Sequence, residues 1–298
     1  MDYKDVEVLI ASGLQTLRSG LYSALKRIGV GRVIEVGTPE EAGFQIRNEN
    51  FDVIILASEI GETFMGDLVG EIRHGRMGSN PCPIVIMLTN STEADDIRKI
   101  AGCGADAALL TATAINQIGP RFAALALESR RFIVNHNYCG PDRRKKDRDG
   151  ESSSPDLAVP NPLSAKIKRG GVQQLQRDIK QAAETLNAMK IDRLSLQLRW
   201  LVEGILSASK AEPMDGDKMK SQAASLVELC KDLETRTKNW LASPITELIG
   251  SLATAAKEIG GAAEKPDLLP LLRAGQKVAQ EVKRVLGGDA QSGRPVTG

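Results

Sequence analysis

The sequence predicts a doubly wound α/β domain built on a five-stranded parallel sheet, followed by an all-α helical bundle, and three features of its 298 residues carry that expectation. Residues 1–131 alternate short apolar runs with amphipathic stretches, the pattern of parallel strands covered by helices on both faces. Residues 132–160 turn polar and mix Gly, Pro and Ser with charge, which reads as a linker. From 161 to about 288 apolar residues recur every three or four positions with no strand signal between them, and 289–298 read as a loose tail.

The strands are expected at Val6 to Ala11, Arg32 to Val36, Asp52 to Leu56, Ile84 to Thr89 and Ala107 to Leu110. The helices between them are expected at Leu14 to Arg27, Pro39 to Arg47, Met65 to His74, Glu93 to Ala101, and Ala114 to about Arg131. Thr38 before Pro39, with Glu41 in the first turn, is a helix start. Ser91 or Thr92, ahead of Glu93, Asp95 and Asp96, is another. In the second half, one segment carries Val172, Leu175, Ile179 and Leu186, and a second carries Leu194, Leu198, Trp200, Leu201 and Ile205. A third runs through Met219, Leu226, Leu233 and Trp240, and Ser243-Pro244 opens a fourth through Ile249 and Ile259. A fifth runs from Asp267 to Val285 and is stopped by Gly287 and Gly288. Both tryptophans are assigned to the bundle core.

Hydrophobic residues make up 42% and charged residues 26%, which excludes a mainly disordered chain. Aromatics are only 3%, so the cores must rest on Leu, Ile, Val and Ala. The charged start Met1-Asp2-Tyr3-Lys4-Asp5 and the absence of a long apolar stretch point to a cytoplasmic protein with no membrane insertion. Cys82, Cys103, Cys139 and Cys230 form no C-x-x-C pair and are expected as free thiols. Residues 1–130 hold 12 basic against 17 acidic side chains, and residues 161–298 hold 21 against 16. That asymmetry is too mild to predict nucleic-acid binding by itself.

Several segments of the first half carry a family resemblance: Val8-Leu9-Ile10 with Arg18, Phe51-Asp52-Val53-Ile54-Ile55-Leu56, Pro83-Ile84-Val85-Ile86-Met87-Leu88-Thr89, and Gly104-Ala105-Asp106. Over about residues 5–130 the chain resembles the receiver domain of bacterial response regulators, the chemotaxis-type, flavodoxin-like fold. The resemblance implies an acidic pair after the first strand holding Mg²⁺, a phosphoacceptor aspartate after the third, a Thr/Ser after the fourth and Lys-Pro after the fifth. The corresponding positions here hold Ser12 and Gly13, Ala57, Thr89, and Thr111 with Ala112. Of these, Thr89 matches. A hard cation needs carboxylate oxygens and an acyl phosphate needs a carboxylate to form on, so the resemblance implies a degenerate pseudo-receiver without phosphotransfer. Ser58 and Glu59 are weighed as substitutes and set aside, because neighbouring strand-end side chains point in different directions. Thr89 is equally well read as a strand-end hydroxyl bonded to backbone.

The chain has no Gly-rich phosphate loop, so no nucleotide cofactor is expected, and His74 and His136 lack metal-ligand spacing. The helical half contains no histidine, which excludes a histidine phosphotransfer bundle. Gly140-Pro141-Asp142-Arg143-Arg144 resembles a short pattern found in linkers after some receivers. Arg143, Arg144, Lys145 and Lys146 are candidates for a basic contact, with a solvated linker run as the preferred reading. The expected function is therefore a non-enzymatic, phosphorylation-independent adaptor or scaffold in two-component signalling or a phosphorelay. Its partners would be signalling proteins, met, as the receiver resemblance implies, through the face of the fourth and fifth helices and the intervening strand at about residues 93–128, with the helical half mediating dimerisation or partner docking. The runner-up is a transcription regulator touching DNA through the helical half or the basic linker, against which no helix-turn-helix segment stands in the sequence.

Overall fold

The computed structural model describes residues 1–135, 137–143, 156–168, 171–211, 214–238, 243–261 and 266–292. The chain divides into two compact units, Met1–Leu186 and Asn187–Gly298. No described helix is long and apolar enough to cross a membrane.

The first unit runs β1 (Glu7–Ala11), α1 (Gln15–Arg27), β2 (Arg32–Val36), α2 (Pro39–Asn48), β3 (Val53–Ala57), the hairpin β4 (Glu59–Ile60) and β5 (Thr63–Phe64), α3 (Gly66–Arg73), β6 (Ile84–Thr89), α4 (Ala94–Gly102), β7 (Ala107–Leu110) and α5 (Thr111–Leu127). The main sheet is parallel in the order β2-β1-β3-β6-β7, the doubly wound topology expected. Burial explains why its strands read as unbroken apolar runs. Val8, Ile10, Val53, Ile55, Ile84 and Ile86 share a core with Leu21 of α1 and Phe122 of α5. Leu9, Ile54, Leu56, Val85 and Met87 share another with Ile46 of α2, Val69 of α3 and Ile100 of α4. Thr38 caps α2 in a box, its hydroxyl accepting from the Glu41 amide at 3.2 Å while the Glu41 carboxylate accepts from the Thr38 amide at 3.3 Å.

The expected linker over 132–160 is corrected. Its described residues contribute to an antiparallel sheet of β8 (Arg130–Val134), β9 (Cys139–Pro141) and β10 (Asp156–Val159), in the order β10-β8-β9. The physical reason is alternation: Arg130, Phe132 and Val134 are buried on one side of β8 while Arg131 faces out. Helix α5 therefore ends at Leu127, short of the expected Arg131. Next comes α6 (Pro162–Ile167), capped by Asn161, whose carbonyl accepts from the Ser164 amide at 3.0 Å and whose Nδ2 donates to the Leu125 carbonyl at 2.7 Å. Leu163 joins the core containing Phe122, so α6 builds on the sheet domain rather than beginning the expected 161–288 bundle.

Helix α7 (Val172–Lys210) merges two expected segments into one of 39 residues, because Asn187 to Lys190 offer neither glycine nor proline to break it. In the second unit α7 continues from Asn187, followed by α8 (Gly216–Thr237), α9 (Ile245–Gly261) and α10 (Leu269–Ser292). Leu198, Ile205, Leu226, Leu252 and Val278 are among the side chains that make their common core. Helix α10 passes Gly287 and Gly288 into the expected tail, since a glycine costs a helix about 1 kcal/mol and does not by itself end it. Trp200 is 64% exposed, which corrects its assignment to the core. It follows Leu198 by two positions, about 200° around the helix and away from the buried stripe. Trp240 lies outside the described residues.

Candidate functional site

In an open parallel sheet the crevice at the carboxyl ends of the strands is where chemistry is sited. The register brings those ends level, pairing Ala11 with Leu56, Ala57 with Leu88, and Thr89 with Leu110. Ser12, Gly13, Ala57, Thr89 and Thr111 accordingly stand at one edge. Ser12 is buried; its hydroxyl accepts from the Leu14 amide at 3.2 Å, and its carbonyl accepts from the Arg18 guanidinium. The guanidinium lies beside Gly37 on the neighbouring strand end, where a Cβ would meet Arg18 Nη1 at an ordinary contact distance of 3.6 Å. The Thr89 hydroxyl accepts from the Ser91 amide at 3.1 Å, opening the turn into α4. Ala57 is half-buried, and the following residue, Ser58, donates its amide to the Leu88 carbonyl of β6 at 2.7 Å and accepts from the Met65 amide at 2.9 Å. Among the described residues no group of three or more His, Cys, Asp or Glu side chains is placed to hold a metal ion. The donor set at this edge does not fit Mg²⁺: Ser12, Gly13 and Ala57 contribute no carboxylate, and a fixed cation, Arg18, already occupies the Ser12 carbonyl.

At the opposite, amino-terminal edge the first unit concentrates buried charge that inspection of the sequence missed. Asp106, immediately before β7, accepts from Arg73 Nη2 on Oδ2 at 2.7 Å and from Arg130 Nε and Nη2 on Oδ1 at 3.1 and 2.8 Å. The Val85 amide adds a further bond to Oδ2 at 2.8 Å. Both guanidiniums lie against the Phe132 ring, 4.9 and 5.1 Å from its centroid. Their remaining donors reach backbone carbonyls: Arg73 those of Pro81, Pro83 and Gly104, and Arg130 those of Cys82, Pro83 and Pro160. The Arg73 side chain is wholly buried, and burial lowers its pKa against the opposing pull of Asp106. Burial likewise pushes the Cys82 thiol up to about 11, so it is protonated and unreactive at neutral pH. All four cysteines are free.

Two glycines permit this construction. Gly104 has φ +96°, and a Cβ on it would stand 2.8 Å from the Cys139 carbonyl oxygen and 2.9 Å from Arg73 Cγ. Gly140 in β9 faces it, with its own Cβ position 2.8 Å from Gly104 Cα. The Gly140-Pro141-Asp142-Arg143 stretch is thus part of a folded seam. Arg143 donates to the Ala105 carbonyl, and the Asp142 amide donates to the Arg131 carbonyl at 2.8 Å. Arg144, Lys145, Lys146 and His136 lie outside the described residues. A second buried pair closes the same edge: Lys166 of α6 reaches Asp52 at 2.7 Å, and Asp52 also accepts from the Glu7 amide at 2.8 Å.

No family model matches the chain, and no curated protein matches it. Among solved structures the chain is similar to a response regulator signal receiver domain from Bermanella marisrubri, at 14% identity over 40% of this chain and 95% of that one, with a TM-score of 0.36. It is also similar to a response regulator from Thermotoga maritima, at 20% identity over 40% of this chain and 96% of that one, with a TM-score of 0.35. A third similarity is to a response regulator from Burkholderia pseudomallei with a phosphorylated aspartic acid, at 18% identity over 42% of this chain and 77% of that one, with a TM-score of 0.32.

Proposed function

We propose that this chain is a phosphorylation-independent pseudo-receiver, a non-catalytic adaptor or scaffold that acts by protein–protein contact in two-component-type signalling in the bacterial cytoplasm. One observation carries the reading. At the carboxyl edge of a doubly wound sheet, Ser12, Gly13 and Ala57 supply no carboxylate, and the Ser12 and Thr89 hydroxyls accept from the Leu14 and Ser91 amides. A hard divalent cation has no charged ligand there and a phosphoryl group has no carboxylate to join, so signalling must pass through surfaces. The face of α4, β7 and α5 is available for that purpose: α4 buries Ile100 and leaves Ile97 exposed, with Leu110 exposed at the end of β7. The helical region after it would serve self-association or docking.

The test is titration of the full chain with beryllofluoride and Mg²⁺, followed by amide NMR shifts, alongside intact-mass measurement after incubation with acetyl phosphate. Unchanged spectra and mass are expected. A Mg²⁺-dependent shift at the carboxyl edge, or a phosphoryl mass increase, would overturn the reading.

A further inference from the structure

Helix α7 leaves an apolar stripe uncovered on the side of the second unit facing away from its core. Leu196 is 46% and Trp200 64% exposed, four residues apart and so on one face. Extending that face by the same spacing gives Met189, Arg193, Leu196, Trp200, Glu203 and Ser207. These positions alternate steps of four and three, which is the period of a coiled-coil seam. The buried stripe of the same helix, Ile191, Leu194, Leu198, Leu201 and Ile205, belongs to the core and leaves this seam as a second, separate one.

The seam has a symmetry of its own. Its two large apolar residues lie two positions either side of residue 198, and the charges Arg193 and Glu203 lie five positions either side. Ten residues of helix separate those charges by about 15 Å, so they do not pair within one helix. An antiparallel second copy of α7, related by a two-fold axis at residue 198, brings each of these to its complement: Leu196 against Trp200, and Arg193 against Glu203, twice over. A two-fold interface requires this kind of self-complementary patch.

We propose that this chain forms a two-fold dimer through the Met189–Ser207 face of α7, paired antiparallel with the same face of a second copy. The central Trp200–Leu196 contacts bury the exposed apolar area, and the flanking Arg193–Glu203 pairs fix direction and register, since a parallel pairing would set Arg193 against Arg193. The inference deepens the self-association assigned above to the helical region, and it fails independently of the signalling reading.

Sedimentation of the full chain over 1–200 µM should show a concentration-dependent dimer. Trp200→Glu should yield monomer to the top of that range with an unchanged circular dichroism spectrum. Arg193→Glu and Glu203→Arg should each weaken dimerisation about tenfold or more, and the double variant, with the charges exchanged, should return to within about threefold of wild type. Mixing Leu196→Cys and Trp200→Cys chains should give an oxidation-dependent cross-link between the two. A monomeric wild type would show that the stripe is covered by something other than a second copy. A dimer indifferent to Trp200→Glu would move the interface elsewhere. Failure of the charge exchange to restore what the single changes lost would rule out the antiparallel register. Each of these results overturns the proposal, and none of them alters the phosphodonor experiment on the carboxyl edge.

Discussion

The two edges of the main sheet are opposites. At the carboxyl edge, where an open α/β fold places its chemistry, the strand ends present Ser12, Ala57 and Thr89, and each hydroxyl accepts from a local backbone amide. At the amino edge Asp106 holds two buried arginines and Asp52 holds Lys166. Buried charge is commonly a pointer to function, but here the pointer leads to architecture. The ionic cluster fastens β8 and the α6 segment to the sheet, through the Phe132 ring and the Pro160 carbonyl. The contrast teaches that perturbed, buried ionisable groups need to be weighed by which end of the strands they occupy.

The largest effect that could break this contrast comes from Asp106. In Asp106→Ala the Arg73 and Arg130 guanidiniums keep their carbonyl partners and lose their counter-charge. Leaving buried charge uncompensated costs about 3–5 kcal/mol. Urea denaturation of the first unit in the full chain should register that loss, and a change under 1 kcal/mol would mean that the carbonyl cage alone suffices. The conservative Arg73→Lys should also destabilise, because a single ammonium cannot reach the Pro81, Pro83 and Gly104 carbonyls and Asp106 together.

A smaller effect should follow at Asp52. Burial is the largest influence there and raises its carboxyl above the usual range, while Lys166 pulls the other way. A folded pKa above the unfolded one means that the native state takes up the proton more readily. The associated stability is fully present below the unfolded pKa, near pH 4, and is lost as pH rises through the folded value. Asp52→Asn should therefore flatten the limb that descends above the unfolded pKa, and Lys166→Met should move that limb to higher pH and cost about 1–3 kcal/mol at neutral pH. Midpoints measured between pH 4 and 8 check both, and an Asp52→Asn difference independent of pH would refute the assignment.

The sheet was legible in the sequence because its strands are buried on both faces: Ile84 to Thr89 reads as a strand from composition alone. The carboxyl-edge positions were expected on the receiver resemblance, and the register sets the strand ends that carry them level. The amino-edge cluster was not legible, since Arg73, Asp106 and Arg130 lie 33 and 24 residues apart and each looks like an ordinary surface charge in its own segment. Gly104-Ala105-Asp106 carried the family resemblance, but its role appears only when Gly140 packs against it. The strands β9 and β10, of three and four residues, are too short for alternation to show. Trp200 reads as core from its apolar neighbours along α7, yet it lies about 200° around the helix from the buried Leu198 and so on the exposed face.

The smallest expected effect sharpens the comparison from the other edge. Ala57→Asp puts a carboxylate at the half-buried end of β3, the position that the proposed function matches to a phosphoacceptor. Ala57 packs against the core that holds Leu56 and Met87, so the variant should still fold but lose about 1 kcal/mol, the centre of the range for single substitutions. It should also fail to take phosphate from acetyl phosphate. A new carboxylate supplies the nucleophile, but positions 12 and 13 still offer no second acid, and Arg18 still holds the Ser12 carbonyl where a cation would need oxygen. Intact mass after incubation with acetyl phosphate and Mg²⁺ decides the matter: an 80-dalton gain of about one phosphoryl group would show that a single carboxylate is enough to revive this edge, and with it that the two edges differ by one residue rather than by design.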